Sequence, residues 1–290
     1  MMRNTLIVFF IFSSLTLSFS QTGGRHAYEF LNLPFSARTA SLGGNTISTK
    51  DDDINLSLQN PSLLDSSMSN KLAFNYINYF TDVNYGYSAY ARHFKNIGTF
   101  STGVQFLNYG KFTAADETGQ ITGQFEAADY SLNLAYARAL DSSFAIGGTL
   151  KTIYSVLENY SSVGSAIDIA GTYHNKKKRF TAAAVIKNMG IQWKSYRPGN
   201  KESLPFEIQL GLSKKLAKAP FRFSIIGTHL EKWDLTYEDP ANPTLTTDPL
   251  TQAEIKPNRA KIWGDKFARH IVLGSEFLLT KNFNIRFGYN

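Results

Sequence analysis

The chain has 290 residues, of which 43% are hydrophobic and 14% aromatic, with 22 Phe, 15 Tyr and no Cys. No stretch after residue 20 stays apolar for the roughly 18 residues that a membrane-spanning helix needs, which excludes a helical membrane protein. The net charge of +7 is scattered apart from one basic run at 176–179, with no basic stripe or recognition motif, so we expect no nucleic-acid partner.

Residues 1–20 have the features of a secretory signal peptide. Arg3 supplies a short positive region, an apolar run follows from Thr5 to Leu17, and small residues precede Gln21. The alternative is a buried N-terminal helix. We expect an exported chain, and because it contains no Cys it carries no disulfide and no lipid attached at residue 21.

Residues 21–70 show no sustained alternation and contain the turn signals Gly43-Gly44 and Asn60-Pro61. A segment of this kind ahead of a sheet predicts a plug-like element in a lumen or a periplasmic segment, and a disordered arm is the alternative. Three consecutive acids at 51–53 indicate a solvated turn rather than a calcium site, because they lack the spacing of cation ligands.

From residue 72 onward, segments that alternate between apolar and polar residues predict eleven β-strands. Leu132 and Leu134, for example, alternate with Ser131 and Asn133. The segments are long, and their second face is small and polar rather than rich in Lys and Glu. These features favour an antiparallel β-barrel with its apolar face toward lipid over a soluble sandwich. The predicted strands are 72–79, 84–94, 98–109, 125–139, 143–155, 164–174, 179–188, 204–216, 221–232, 267–279 and 283–290.

The breaks between these segments alternate in length. Short breaks fall near 95–97, 140–142, 175–178, 217–220 and 280–282, and long ones near 110–124, 156–163, 190–203 and 233–266. This alternation is typical of an outer-membrane barrel with tight periplasmic turns and longer external loops. Bacterial single-chain barrels have even strand numbers, so we expect residues 71–290 to be a barrel that is truncated before its last strands.

The sequence contains no recognisable catalytic or metal-binding constellation. Its five His residues lack the H-E-x-x-H spacing, and there is neither a G-x-S-x-G motif nor a phosphate-binding Gly-rich loop. The carboxylates in the 233–266 break have no base beside them in the sequence. We therefore expect a protein that is not an enzyme and that binds no cofactor or metal.

The longest break, 233–266, is the best candidate for a partner-binding site. Long loops without secondary structure are usually functional or disordered, and aromatic anchors are enriched at protein interfaces. Alternatively, its two Trp residues lie in the aromatic belt of a membrane interface. The candidate residues are Trp233, Asp234, Tyr237, Asp239 and Trp263.

Four stretches of the chain resemble a known family. They are AYEFLNLPFSARTASLGG, DDDINLSLQNPSLL, FLNYGKFTAADETGQITGQFEAADYSLNLAYA and HLEKWDLTYEDP. Together they are similar to the PorQ-type outer-membrane proteins of the type IX secretion system of Bacteroidetes-type bacteria, which belong to a PorV/FadL-like barrel family. The resemblance implies a FadL-like barrel of about 14 strands with an N-terminal segment in or near the lumen, and no catalytic residues.

The same resemblance implies a role in the outer membrane. It implies a place in the machinery that attaches secreted proteins to the cell surface, alongside a sortase-like protein, PorV and PorZ. Our first hypothesis is that the barrel docks or anchors these partners through its external loops. Outer-membrane lipid and lipopolysaccharide are the expected surroundings. The alternatives are a FadL-like channel for hydrophobic ligands, which the polar inward face disfavours, and a PorV-like cargo shuttle.

Overall fold

The computed structural model describes residues 26–236, 259–280 and 283–290. The signal peptide predicted for residues 1–20 lies outside the described residues. Within them, no helix combines the length and the apolar character needed to cross a bilayer.

In the described part of the chain, eleven strands form a single sheet in which each strand pairs antiparallel with its neighbours in sequence. The strands are β1 Lys71–Asn78, β2 Asn84–Phe94, β3 Gly98–Ala115, β4 Ile121–Ala139, β5 Phe144–Leu157, β6 Tyr160–Asn175, β7 Phe180–Lys194, β8 Glu207–Lys215, β9 Phe221–Gly227, β10 Ile271–Leu278 and β11 Asn284–Tyr289. The all-β prediction is confirmed. Among the described residues β1 and β11 each pair with one neighbour only, so a closed barrel of about 14 strands stays a prediction.

Side chains along the strands alternate between two opposite environments, because successive residues of a strand point to opposite faces. On β4, Leu132 and Leu134 are 45% and 50% exposed, whereas Ser131 and Asn133 are 0% and 3% exposed. Other strands repeat this pattern, with Phe, Leu, Ile and Tyr on the exposed face and Ser, Thr, Asn, Gln and several charged residues on the buried face. The predicted division into an apolar and a polar face is confirmed, and the apolar face is the exposed one.

The connections between strands lie alternately at the two ends of the sheet, because neighbouring strands are antiparallel. At one end, which we call the turn rim, the connections are 95–97, 140–143, 176–179, 216–220 and 279–283. At the other end, which we call the loop rim, they are 79–83, 116–120, 158–159, 195–206 and 228–270.

Two of the predicted long breaks are wrong. Most of 110–124 belongs to β3 and β4, which continue into a long hairpin in which the rings of Phe112 and Phe125 stack with centroids 5.2 Å apart. The break predicted at 156–163 is a connection of two residues, 158–159. The polar composition of 110–124 suggested a loop, but cross-strand pairs stabilise a hairpin without burying it.

The chain ahead of the sheet, residues 26–70, consists of short helices and turns, and we call it the N-terminal segment. Its helices are α1 Ala37–Ser41 and α2 Leu56–Gln59, with 3-10 helices at Glu29–Asn32, Pro61–Leu63 and Ser66–Met68. Three of these elements begin with a side-chain cap. Ser36, Asn60 and Asp65 each accept a hydrogen bond from a backbone N–H two or three residues later.

The N-terminal segment lies against the polar face of the sheet and contacts strands from one end of the sheet to the other. The contacts include Asn55 with Asn75 on β1, Phe35 with Tyr85 on β2, Asn60 with Thr172 on β6, Ser48 with Ser213 on β8, Arg38 with Glu276 on β10 and Leu42 beside Gly288 on β11. A segment this short reaches both end strands only if the sheet curves around it. The polar face is therefore concave and filled, and the apolar face is convex.

Candidate functional site

Apolar side chains of the N-terminal segment fill much of the concave interior. Phe30, Phe35 and Met68 are buried in one cluster with Tyr85 and Tyr87 of β2. Phe35 and Tyr85 meet edge to face, with ring centroids 5.3 Å apart. Burial of each large apolar side chain contributes about 1.5–3 kcal/mol, so this cluster stabilises the docked position of the segment.

Hydrogen bonds attach the same segment to the middle strands. Asn60 Nδ2 donates to Thr172 Oγ1 of β6 at 3.0 Å, and the hydroxyl oxygens of Ser62 and Thr172 are 2.6 Å apart. Gly147 of β5 permits this close approach, because a Cβ there would lie 2.6 Å from the backbone of Pro61. Buried polar groups need partners, and the polar face of the sheet supplies them.

A buried ion pair lies in the middle of the interior. Lys151 Nζ of β5 is 2.7 Å from Asp168 Oδ2 of β6, and it also donates to Asn188 Oδ1 at 2.7 Å. Asn188 in turn donates to Asn32 Oδ1 of the N-terminal segment at 2.9 Å. Removing charges from water costs several kcal/mol per ion unless they are paired and hydrogen-bonded. Lys151 therefore needs Asp168 and Asn188 together.

Three Arg and three acids form what we call the charge cluster near the turn rim. Its members are Arg38, Asp51, Asp53, Arg222, Glu276 and Arg286. Glu276 accepts hydrogen bonds from Arg222 at 2.7 Å and from Arg286 at 2.9 Å. Arg38 reaches Glu276 at 3.0 Å and Asp51 at 2.6 Å. The cluster therefore joins the N-terminal segment to the last three strands.

The acids at 51–53 are part of these contacts, so the predicted solvated turn is wrong. Asp52 pairs with Lys71, and Asp53 pairs with Arg38 at 3.1 Å. Burial alone would raise the pKa of the Asp51 carboxyl, but the hydrogen bond and charge of Arg38 hold that pKa below its ordinary value. The turn is held by Arg38 of the same segment, by Lys71 of β1 and by Arg222 of β9.

The acids of the charge cluster pair with Arg side chains. Among the described residues, no group of three or more His, Cys, Asp or Glu side chains is arranged to hold a metal ion. The oxygens of Glu276 and Asp51 are engaged by Arg side chains. The interior thus holds the N-terminal segment in place through paired charges and hydrogen bonds.

Two of the candidate partner-binding residues meet at the loop rim. Helix α3, Arg259–Ala268, lies in the connection between β9 and β10. Its Trp263 packs against Trp233 with ring centroids 5.4 Å apart, and Phe267 stacks on Trp263 at 5.9 Å. Trp233 is 48% and Trp263 60% exposed. Trp233, Trp263 and Phe267 form an exposed surface that we call the aromatic patch.

Asp234 ties the chain after Trp233 to helix α3. Its Oδ2 is 2.5 Å from Lys266 Nζ, and its Oδ1 accepts a hydrogen bond from Thr236 N at 3.0 Å. The hydrogen bond from Lys266 holds the pKa of the Asp234 carboxyl well below its usual range. The other two candidates, Tyr237 and Asp239, lie outside the described residues.

His270 supports the aromatic patch from beneath. Its ring stacks on Trp233 with centroids 5.8 Å apart, and its two nitrogens lie 2.8 Å and 3.1 Å from the carbonyl oxygens of Thr228 and Trp233. The strand predicted over 267–279 is wrong at its start, because β10 begins at Ile271. The spacing of four between Trp263 and Phe267 is the helical signal in this stretch.

The molecule thus has two candidate functional features, a concave interior filled by the N-terminal segment and an exposed aromatic patch. Comparison with protein-family models and with curated proteins finds no match for this chain. Function is therefore inferred from the geometry of these two features together with the family resemblance of the four quoted stretches.

Proposed function

We propose that this chain is a non-enzymatic, plugged β-barrel of the outer membrane. The observation that carries the proposal is the inversion of burial between the two faces of the sheet. Large apolar side chains cover the convex face, while polar and charged side chains are buried on the concave face. An apolar exterior of this extent is an aggregation liability in water, whereas it is the normal exterior of a barrel in lipid.

The aromatic patch at the loop rim is the surface through which we propose that the protein docks its partners. Trp side chains are enriched among the residues that dominate binding energy at interfaces. Trp233 is held by His270, and the bond between Asp234 and Lys266 fixes α3 beside it, so the patch is preorganised. The family resemblance supports the identity of the partners: a sortase-like protein, PorV and PorZ of the type IX secretion system, on a barrel surrounded by outer-membrane lipid and lipopolysaccharide.

The filled interior argues against a FadL-like channel for hydrophobic ligands. Phe30, Phe35 and Met68 occupy space on the concave face, where they pack in one buried cluster with Tyr85 and Tyr87 of β2. A hydrophobic ligand would have to displace the N-terminal segment and break its ion pairs. A PorV-like cargo shuttle would use the same loop-rim surface and would differ only in the protein that it binds.

Photo-crosslinking from the two rims tests this proposal. A photoreactive amino acid at position 263 of the full-length protein, in its native outer membrane, should capture proteins of the surface-attachment complex. The matched control carries the same amino acid at position 177, an exposed residue in the 176–179 turn of the opposite rim, and should capture none of them. Capture of lipid alone from position 263 would contradict docking and would place Trp263 in a membrane-interface belt.

A further inference from the structure

A cavity of about 410 Å³ opens at the turn rim, between the N-terminal segment and the concave face of the strands from β6 to β9. Its charged lining is almost entirely basic. The lining cations are Lys50, Lys176, Arg179, Lys215 and Arg222, and Asp51 is the acid that faces them. From sequence alone, the basic run 176–179 is interpreted as a solvated turn, with attraction to an anionic lipid or lipopolysaccharide surface as the alternative. In the structure, two of its members, Lys176 and Arg179, line this cavity.

The positive charge of the cavity is largely uncompensated. Lys50 is paired with Asp65 at 2.7 Å, and Arg222 is paired with Asp51 and Glu276. Asp51 is also bound by Arg38, so its charge is already shared between two guanidinium groups. The remaining three cations, Lys176, Arg179 and Lys215, form no salt bridge with any acid among the described residues.

The site is also partly built before any ligand arrives. Arg179 Nη1 donates to the carbonyl oxygens of Leu216 and Ala217 at 3.1 Å and 3.4 Å, which connects the 176–179 turn to the 216–220 turn. Lys176, in the first of these turns, and Lys215, at the end of β8 directly before the second, both line the cavity. Three like charges held together in a concave site create a field that concentrates counter-ions of the opposite sign.

We infer that this cavity binds a small multivalent anion that carries phosphate or carboxylate groups. Charged donors form shorter and stronger hydrogen bonds to such oxygens than neutral donors do, and a guanidinium can engage two of them at once. The cavity lies on the concave face, and the strands separate it from the apolar exterior. A soluble anion therefore fits the site better than the headgroup of a membrane lipid.

Calorimetric titration of the full-length protein in detergent tests the inference, with inorganic pyrophosphate as the phosphate probe and citrate as the carboxylate probe. Binding of at least one probe at a single site is expected. Repeating the titration in nanodiscs with and without phosphatidylglycerol distinguishes a soluble anion from the headgroup of a membrane lipid. An affinity that is unchanged by phosphatidylglycerol supports a soluble ligand, and competition by that lipid would overturn this assignment in favour of a headgroup.

A pair of matched double variants tests the location. K176Q/K215Q removes two cations that line the cavity, and we expect affinity to fall roughly tenfold or more, since each ammonium is a charged hydrogen-bond donor to the anion. K177Q/K218Q removes the same charge from the same two turns at exposed lysines outside the lining, and we expect a change of less than about twofold.

Two results would overturn the inference. One is the absence of any heat of binding from the unmodified protein with either probe. The other is an equal loss of affinity in both double variants, which would show a diffuse attraction to a basic rim rather than a site. Retention of the folded form by both variants, seen as heat-modifiable migration on gels, makes either result interpretable.

Discussion

The N-terminal segment and the described parts of the loop-rim connection, 228–236 and 259–270, both lie outside the strands, yet their large aromatic side chains have opposite environments. The N-terminal segment buries Phe30 and Phe35 and pairs its charges with partners on the sheet. Helix α3 buries no residue and leaves Trp263 and Phe267 in the open. The difference arises because the concave face of the sheet encloses the N-terminal segment but does not enclose helix α3. The first stretch contributes to stability, and the second leaves its apolar surface available for recognition.

Loss of Glu276 should have the largest effect, because this residue holds the N-terminal segment against the sheet through Arg38. Glu276→Gln leaves Arg38, Arg222 and Arg286 without the carboxylate that they share, although Asp51 still compensates part of the charge. Removing one partner of a buried charge network is costly, and we expect the free energy of unfolding in lipid vesicles to fall by about 3 kcal/mol.

Urea titration followed by gel mobility measures this change. Glu117→Gln, in the exposed turn 116–120, is the matched control and should cost less than about 0.5 kcal/mol. Equal unfolding midpoints for the two variants would mean that the charge cluster does not hold the N-terminal segment.

An Arg on the convex face tests whether that face meets lipid. Leu132→Arg, in the middle of β4, should destabilise the protein by about 2–4 kcal/mol in vesicles. Leu140→Arg, at a 61% exposed position in the turn-rim connection directly after the same strand, should cost no more than about 1 kcal/mol, because the penalty for a charge falls toward the membrane interface. If both variants lose the same stability, or neither loses any, the apolar face does not lie in a bilayer.

The close contact between Gly288 of β11 and the N-terminal segment tests how firmly that segment is held. A Cβ at this position would lie 2.1 Å from the backbone nitrogen of Gly43, so Gly288→Ala forces the N-terminal segment away from β11. We expect a loss of about 1–3 kcal/mol, as for overpacked interiors. Gly171→Ala adds the same methyl group on β6, where no neighbouring atom lies within 4 Å, and should be nearly neutral. A neutral Gly288→Ala would show that the close contact is not maintained.

The smallest expected effect is a pH dependence at the loop rim. A hydrogen bond to Glu231, acting against burial and helped by the charge of Glu207, raises the pKa of His229 above its ordinary value of about 6.5. The charged form therefore stabilises the native contacts fully below about pH 6.5, and this contribution, of about 1 kcal/mol or less, is lost as pH rises through the raised pKa.

Hydrogen exchange of residues 228–236, corrected for intrinsic rates, measures this effect. Protection should be lower at pH 8.5 than at pH 6. His229→Gln should remove the difference while leaving the exchange of the β4 amides unchanged. A difference that persists in His229→Gln would assign the pH dependence to another group.

The sheet was predictable from sequence because its signal is local. Leu132 and Ser131 are neighbours, and their alternation alone assigns one to each face. The hairpin over 110–124 escaped prediction because its exposed strands beyond the buried part of the sheet need no apolar face. In the same way, α3 was hidden because a single exposed helix with two aromatic residues four positions apart gives a weak periodic signal.

The interior contacts were not predictable because their partners are distant in sequence. Arg38 and Glu276 are 238 positions apart, and the sequence around either residue does not identify the other as its partner. The sequence of the acids at 51–53 is that of an ordinary polar turn. Only the curvature of the sheet, which places Arg222 beside Asp51, shows that the turn is paired. Of the candidate site, the sequence identified Trp233, Asp234 and Trp263 but gave no indication of the support from Lys266 and His270.

The span of contacts made by the N-terminal segment also sets an order of events during folding. The segment is synthesised first, yet it meets Glu276 and Gly288 only after β10 and β11 have been added to the sheet. Contacts of such long sequence separation form late, because a large loop must close before they stabilise anything. Full seating of the N-terminal segment therefore follows the placement of β10 and β11, and a molecule with Arg38 bound to Glu276 already has β10 in position.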